Sequence, residues 1–379
     1  MRPRLAIDEL VASSPDGARV DAFLSNRRVP LVEGGSATFL WRGHADRVSL
    51  RHWIYGLESS TSLNRVQNTD LWYLTLEIPS GSRVEYKYEL HRHGGSEWIE
   101  DPLNPNRARD PFGANSVLQG EGYEAPNWTH VDPVARAGTL APLLFESRFV
   151  GRRTGHLYFP ARFRRSRQYP LVVVHDGSDY LNYASMKIVL DNLIHRLEIP
   201  DVIVAFTDSP DRLSEYANHE GHARFLTEEL APDLAARFPL IDRPQARCLM
   251  GASFGAVAAF STAYRYPGFW GRLLLQSGSF AFTDIGRRNR RGPLFDRVVE
   301  FVNRYRDDPK AVSEKVFQSC GVFESLIYEN RSMVPLLSAT GMDVRFVEAR
   351  DGHNWENWRD RLREGLSWLF PGPLMFIYE

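Results

Sequence analysis

Only two cysteines, Cys248 and Cys320, occur in the 379 residues. They are far apart in the chain, each in an apolar, strand-like run, which excludes a disulfide framework and a multi-cysteine metal site. Lysine is almost missing: Lys87, Lys187, Lys310 and Lys315 are the only four, so 42 of the 46 cations are arginine. Charge of one sign is not in excess either. The formal net charge is −1, which argues against a nucleic-acid scaffold or a membrane-surface binder and requires any anion site to be local. No run approaches the ~20 apolar residues of a membrane-spanning helix. The opening residues place Asp8 and Glu9 where a signal peptide needs an unbroken apolar stretch, so a cytoplasmic location is expected. Repeats of fixed period and low-complexity tracts are absent as well.

What is present is the mix of an ordinary globular protein, 43% hydrophobic and 12% aromatic. The length favours two domains. Residues 37–118 carry short runs of strong β formers, ATFLWRG, RVSLRHWIYG, LWYLTLEI, RVEYKYELHR and SEWIEDP, punctuated by glycine-rich turns. In the fourth run Val84, Tyr86, Tyr88 and Leu90 share one face, expected to pack. Arg83, Glu85, Lys87 and Glu89 share the other, expected to be wetted. This pattern predicts an immunoglobulin-like β-sandwich over residues 1–120. The Pro- and Gly-containing stretch from Asp101 to Pro142 lacks sustained periodicity and reads as linker and entry into the second domain, with the linker proper at 121–143.

Over residues 144–379 the pattern changes. Near-continuous apolar runs (GHLYFPA, YPLVVVHDG, DVIVAFTDS, ARCLMGAS, GRLLLQSGS, EKVFQSCG and MDVRFVEAR) alternate with amphipathic pieces such as Ala184–Leu197, Ala223–Arg237 and Phe254–Arg265. A mostly parallel sheet covered by helices on both faces requires this, a three-layer α/β/α domain.

Gly251-Ala252-Ser253-Phe254-Gly255 fits G-x-S-x-G between a strand and a helix, the setting in which a sharp turn lifts a serine hydroxyl to the carboxyl edge of the sheet. Ser253 is therefore the candidate nucleophile. It needs a base, and hydrolases of this arrangement place the histidine last in chain order. Among eleven histidines, His353 follows the final strand-like run and precedes the terminal helix. The acid that orients it belongs between serine and histidine, after the preceding strand. Glu324 is so placed, whereas Asp343 lies inside a strand pattern and Asp351 is too near His353 in the chain; a Ser–His dyad is the alternative. The oxyanion needs backbone N–H donors. Phe254 supplies one, and Gly177 or Ser178, in the turn closing the run Leu171–Val174, the other.

With these residues in hand, the chain from about residue 37 onward resembles the enterochelin (enterobactin) esterase family, esterase-D-like α/β-hydrolases with an N-terminal immunoglobulin-like domain. The resemblance rests on Thr69–Tyr73, Tyr86–Leu90 and Asp101-Pro102-Leu103-Asn104-Pro105 in the first half. In the second it rests on Asp176-Gly177, Gly251–Gly255, Gln276-Ser277-Gly278-Ser279 and Gly352-His353 with Trp358-Arg359. It implies a cytoplasmic serine esterase that opens the trilactone of a catecholate siderophore through an acyl-serine intermediate. Ser253, His353 and Glu324 would be catalytic, with Arg212 and Trp355 contacting substrate. No resident metal or cofactor is implied, since iron would enter only with the ferric or free siderophore. Arg287, Arg288, Arg290 and Arg291 would add local positive charge for an anionic ligand; the bland alternative for Arg212 is a surface pair with Glu215. Other readings are a general or feruloyl-type esterase or acyltransferase, and, from another class, a glycan- or ligand-binding protein on a hydrolase scaffold. Exposed rings at Trp53, Trp72 and Trp98 would favour the glycan reading, and burial would favour packing. Oligomeric state is not legible.

Overall fold

The computed structural model describes residues 4–283 and 292–373; the Arg287–Arg291 cluster lies outside the described residues. The chain forms two compact units. One comprises Met1–Glu124 together with Val322–Glu324 and Ala349–His353, the other the remainder.

The first unit begins with two helices that the composition of residues 1–36 does not advertise, α1 (Ala6–Ala12) and α2 (Gly17–Ser25). Asp16 caps α2, its carboxylate accepting the Arg19 N–H at 2.9 Å. Ten strands follow: β1 (Leu31–Glu33), β2 (Ser36–Arg42), β3 (Arg47–His52), β4 (Ser60–Ser62), β5 (Asn64–Arg65), β6 (Leu71–Glu77), β7 (Arg83–Arg92), β8 (Gly95–Ile99), β9 (Arg107–Asp110) and β10 (Gly113–Gln119). They make two antiparallel sheets, β1-β2-β6-β5 and β4-β3-β7-β10-β9, with β8 also on β7. Phe39, Trp41, Trp72 and Leu74 of one sheet pack in a single core with Leu50, Val84, Tyr86, Tyr88 and Leu118 of the other.

Two expectations change here. The Asp101–Pro105 segment is no linker: it is a buried polar knot inside the unit. Asp101 accepts the Tyr86 hydroxyl at 2.6 Å and its N–H donates to Ser116 Oγ at 2.7 Å, while Asn104 Nδ2 donates to the Val117 carbonyl at 2.8 Å. These bonds hold β10, whose GANSVLQ sequence has too little β propensity to announce a strand. Burial raises the Asp101 carboxyl above its ordinary range, against the stabilising Tyr86 hydroxyl. The polar face of β7 is not uniformly wetted either: Arg83 and Glu89 are buried.

In the second unit the interval 121–143 already contains the start of β11 (Thr139–Ser147), which forms a hairpin with β12 (Gly151–Phe159). There follow β13 (Leu171–His175), α3 (Gly177–Tyr183), α4 (Met186–His195), β14 (Ile203–Thr207), α5 (Arg212–Glu215), α6 (Glu220–Arg224), α7 (Ala231–Arg237), β15 (Arg247–Ala252), α8 (Phe254–Arg265), β16 (Arg272–Gln276), α9 (Asp296–Asp307), β17 (Lys315–Gly321), α10 (Ile327–Ala339), β18 (Asp343–Ala349) and α11 (Trp355–Leu369). The sheet order is β11-β12-β14-β13-β15-β16-β17-β18, parallel from β14 through β17.

Strand periodicity explains the layering. On β13, Val172 and Val174 join the core that includes α4 and α11, whereas Leu171 and Val173 join the one that includes α8 and α9. Each fully buried side chain of this size contributes about 1.5–3 kcal/mol. Every parallel strand must therefore be apolar on both faces, and side chains with chemistry are confined to the strand ends.

Candidate active site

At the end of β15 the backbone turns sharply. Ser253 has φ +57°, between the last strand residue and the first turn of α8. A Cβ at Gly251 would lie 2.4 Å from the Gly255 carbonyl, so glycine is the residue that lets strand and helix approach this closely. The neighbouring strand β13 ends the same way. Asp176 has φ +53° and Gly177 opens α3; a Cβ there would meet Phe206 Cα at 2.5 Å.

Phe254 and Gly177 are thus first residues of helices that leave two adjacent parallel strands, β15 and β13. First-turn N–H groups have no partner within their helix and carry its positive end, which suits them to a developing oxyanion. The Ser178 N–H differs, since it donates to Asp208 Oδ1 at 2.9 Å.

Ser253 Oγ lies 3.1 Å from Ser279 Oγ, and the Ser279 N–H donates to the Ser253 carbonyl at 3.2 Å. Ser279 closes the segment after β16. Its approach depends on β15 pairing with β16, which no local pattern announces. The same segment is locked by Gln276, whose Oε1 accepts the Tyr180 hydroxyl at 2.7 Å and whose Nε2 donates to the Trp358 carbonyl at 2.8 Å. Trp358 Nε1 in turn donates to Ser277 Oγ at 2.9 Å. Trp355 stands edge-on to Tyr180 and Trp358, with ring centroids 5.2 and 4.7 Å away.

Glu324 and His353 lie together in the first unit. The imidazole Nδ1 is 2.7 Å from Glu324 Oε2; the carboxylate is fully buried, whereas the imidazole is 38% exposed. A carboxylate on Nδ1 selects the tautomer that leaves Nε2 as proton acceptor. Asp351 takes no part in that bond, as its carboxylate faces Arg83 instead.

Arg212 is not paired with Glu215. Its Nε donates to both oxygens of buried Asp176 at 2.9 Å, while Glu215 binds Arg153. Burial pushes the Asp176 carboxyl up to about 6, although the guanidinium pulls the other way. Asp208 and Asp179 lie close enough to raise it further. Three carboxylates, Asp176, Asp179 and Asp208, thus stand around the one guanidinium of Arg212; the arginine cluster expected to draw an anionic ligand lies outside the described residues.

Beneath these residues His175 and His222 share a contact of 3.1 Å between their Nε2 atoms, and His175 Nδ1 sits 2.9 Å from the Met250 carbonyl. Burial lowers both, His175 to about 3. Histidines held neutral in the fold gain protons on unfolding below their ordinary value near 6.5, so stability falls as pH drops through that point. Asp176 acts in the opposite sense between its ordinary range and about 6. The two histidines by themselves are expected to lower stability as pH falls below about 6.5. Denaturant midpoints measured from pH 7.5 to 4.5 check this, and His222→Gln should flatten the slope.

The three tryptophans divide: Trp72 is buried, while Trp53 and Trp98 are half exposed, Trp98 beneath the Arg51 guanidinium. Among the described residues, no group of three or more His, Cys, Asp or Glu side chains is arranged to hold a metal ion. Nor is any helix among them long and apolar enough to cross a membrane.

The chain is similar to known proteins. The iron(III) enterobactin esterase of Dickeya dadantii (strain 3937) is 25% identical over 90% of this chain and 90% of its own length. Two solved structures share the fold. The enterobactin esterase of Shigella flexneri, determined in the presence of enterobactin, superimposes with a TM-score of 0.74 at 19% identity over 92% of this chain and 97% of that one. The ferric enterobactin esterase of Salmonella typhimurium gives 0.76 at 20% identity over 92% and 98%. These likenesses, with the parallel sheet and its serine turn, give the second unit an α/β-hydrolase fold. Residues 147–369 match the family described as "Putative esterase", and the chain belongs to that family of carboxylic ester hydrolases.

Proposed function

We propose that this protein is a serine esterase that opens the ester bonds of a catecholate siderophore of the enterobactin type, releasing the iron the ligand carries. His353 Nε2 takes the Ser253 proton as Oγ attacks the ester carbonyl, and Glu324 stabilises the imidazolium. The Phe254 and Gly177 N–H groups hold the oxyanion; Gly177 is preferred to Ser178 because the latter's N–H already serves Asp208. His353 then protonates the leaving alcohol, and water releases the acyl group. The first unit is taken to be of immunoglobulin-like type.

One observation carries the substrate assignment: the likeness to iron(III) enterobactin esterase runs through both units, covering 90% of the chain. The test is mass spectrometry of products after incubation with ferric enterobactin, iron-free enterobactin and a simple aryl ester. Linear trimer, dimer or monomer from the wild type and not from Ser253→Ala is expected. Cleavage of the aryl ester alone would leave the hydrolase chemistry standing and remove the siderophore. No cleavage of any ester would favour a binding protein on a hydrolase scaffold.

Arg212 serves this reading in two ways. Arg212→Ala removes a donor suited to catecholate oxygens, and it also strands the buried Asp176 carboxylate. We expect KM for an anionic substrate to rise about tenfold, relative to a neutral ester, and the protein to lose about 2–4 kcal/mol of stability. Equal KM changes for both esters would assign Arg212 to structure alone.

A further inference from the structure

The polar face of β7 supplies an arginine where an exposed one would suffice. The Arg83 side chain is fully buried, its guanidinium 2.9 Å from Glu85 Oε1 and 3.3 Å from Asp351 Oδ1. Its backbone N–H donates to the Arg350 carbonyl at 2.9 Å. Asp351 is a node between two segments. Its carboxylate accepts the Gly352 N–H at 2.7 Å, next to His353, and its carbonyl accepts the Phe323 N–H at 3.1 Å, next to Glu324. The Phe323 carbonyl in turn accepts the Tyr55 N–H at 2.8 Å, and the Phe323 ring packs on the core between the two sheets.

Burying a guanidinium with two carboxylates is seldom the most stable solution, since well-packed apolar side chains do as well or better. What an ion pair adds is a defined geometry. Here that geometry is passed to the segments bearing the base and its acid. Resting on the reading of His353 as general base, we propose that Arg83 is a positioning residue. Through Asp351 it fixes the Arg350–His353 segment so that His353 stays in register with Glu324. Both segments belong to the β-rich unit, where Arg83 of β7 and Tyr55 after β3 hold them.

The experiment compares full-length wild type with Arg83→Met, Arg83→Lys, Asp351→Asn, the double variant Arg83→Met/Asp351→Asn, and Arg51→Met. The last removes a 2.6 Å ion pair with Glu89 elsewhere in the same sheet. Turnover of p-nitrophenyl butyrate is normalised to active sites titrated with a fluorophosphonate, so unfolded protein does not count. Misplacement of a catalytic group by about 1 Å can cost ~10²-fold. The expected result is kcat lowered at least ~30-fold in Arg83→Met with KM within ~3-fold, partial recovery in Arg83→Lys, and no change in Arg51→Met. Asp351→Asn should lose kcat in the same way, and the double variant should be no worse than the poorer single one, as expected of two parts of one contact.

A melting temperature that falls while kcat per active site stays within ~3-fold of wild type in Arg83→Met and Asp351→Asn would overturn the proposal. If Arg83→Met yields no folded protein, Asp351→Asn decides alone. Failure of the broader reading looks different: it would show as residual turnover in Ser253→Ala, which none of these variants touches.

Discussion

Ser253→Ala should abolish ester hydrolysis, with kcat lowered by at least ~10⁴-fold, while the protein remains folded. The two halves of that expectation have separate causes. In the proposed mechanism, removing Oγ removes the atom that forms the acyl intermediate, and the proposed oxyanion donors and base that remain have no covalent partner to assist. Stability is nearly untouched, because alanine occupies the same volume less one oxygen and the residue already sits at φ +57° in the native turn. The lost contact with Ser279 Oγ is worth about 1 kcal/mol, or a shift of a few degrees in Tm. Steady-state kinetics on an aryl ester and a thermal melt settle both halves, and turnover near the wild-type rate would remove Ser253 from the mechanism.

Glu324→Gln should lower kcat by ~10²- to 10⁴-fold with KM little changed. Glutamine keeps the shape of the side chain but presents an uncharged amide to His353 Nδ1. It can no longer stabilise an imidazolium, and its N–H₂, turned toward Nδ1, would select the tautomer whose Nε2 carries the proton. The 2.7 Å contact and the full burial of the carboxylate explain why so large an effect is expected from a residue that need not touch substrate. A buried, desolvated acceptor acts on its partner without screening by water. Loss of less than ~10-fold would indicate a Ser–His dyad.

The strands β12 to β18 of the second unit could be read from apolar runs, since a strand covered on both faces must be largely apolar, whereas β11 fell in the stretch expected to be linker. The serine turn was equally plain, because glycine spacing reports a steric requirement at the turn itself. His353 followed from its place after the last strand, and Glu324 from its place after the strand before. In the first unit β2, β3, β6, β7 and β8 were legible as strands, but the short β1, β4, β5 and β9, the longer β10, and the helices α1 and α2 were not. Their stability comes from polar contacts and packing made at a distance, such as the Asp101 knot.

The roles of individual charged residues were where local pattern misled. Arg212 faces Asp176 and not Glu215, the Ser178 N–H is engaged by Asp208, and Ser279 meets Ser253. Each of these pairs joins residues on different strands or helices, so their meeting is decided by strand order and by no spacing along the chain. Arg83 is the sharpest case. Period-two alternation assigns it to the face away from the core, and it is buried there because a segment more than two-thirds of the chain away covers it.

By itself, then, the amino-acid sequence determined the class of fold and the sharp glycine-flanked turn at Ser253, because each depends on short-range sterics or on hydrophobic period. Tertiary structure alone decided which charges pair, which first-turn N–H groups are engaged, and that His353 and Glu324 lie together in the β-rich unit. Those are outcomes of long-range contact, and burial then sets their strength by removing the water that would otherwise screen them.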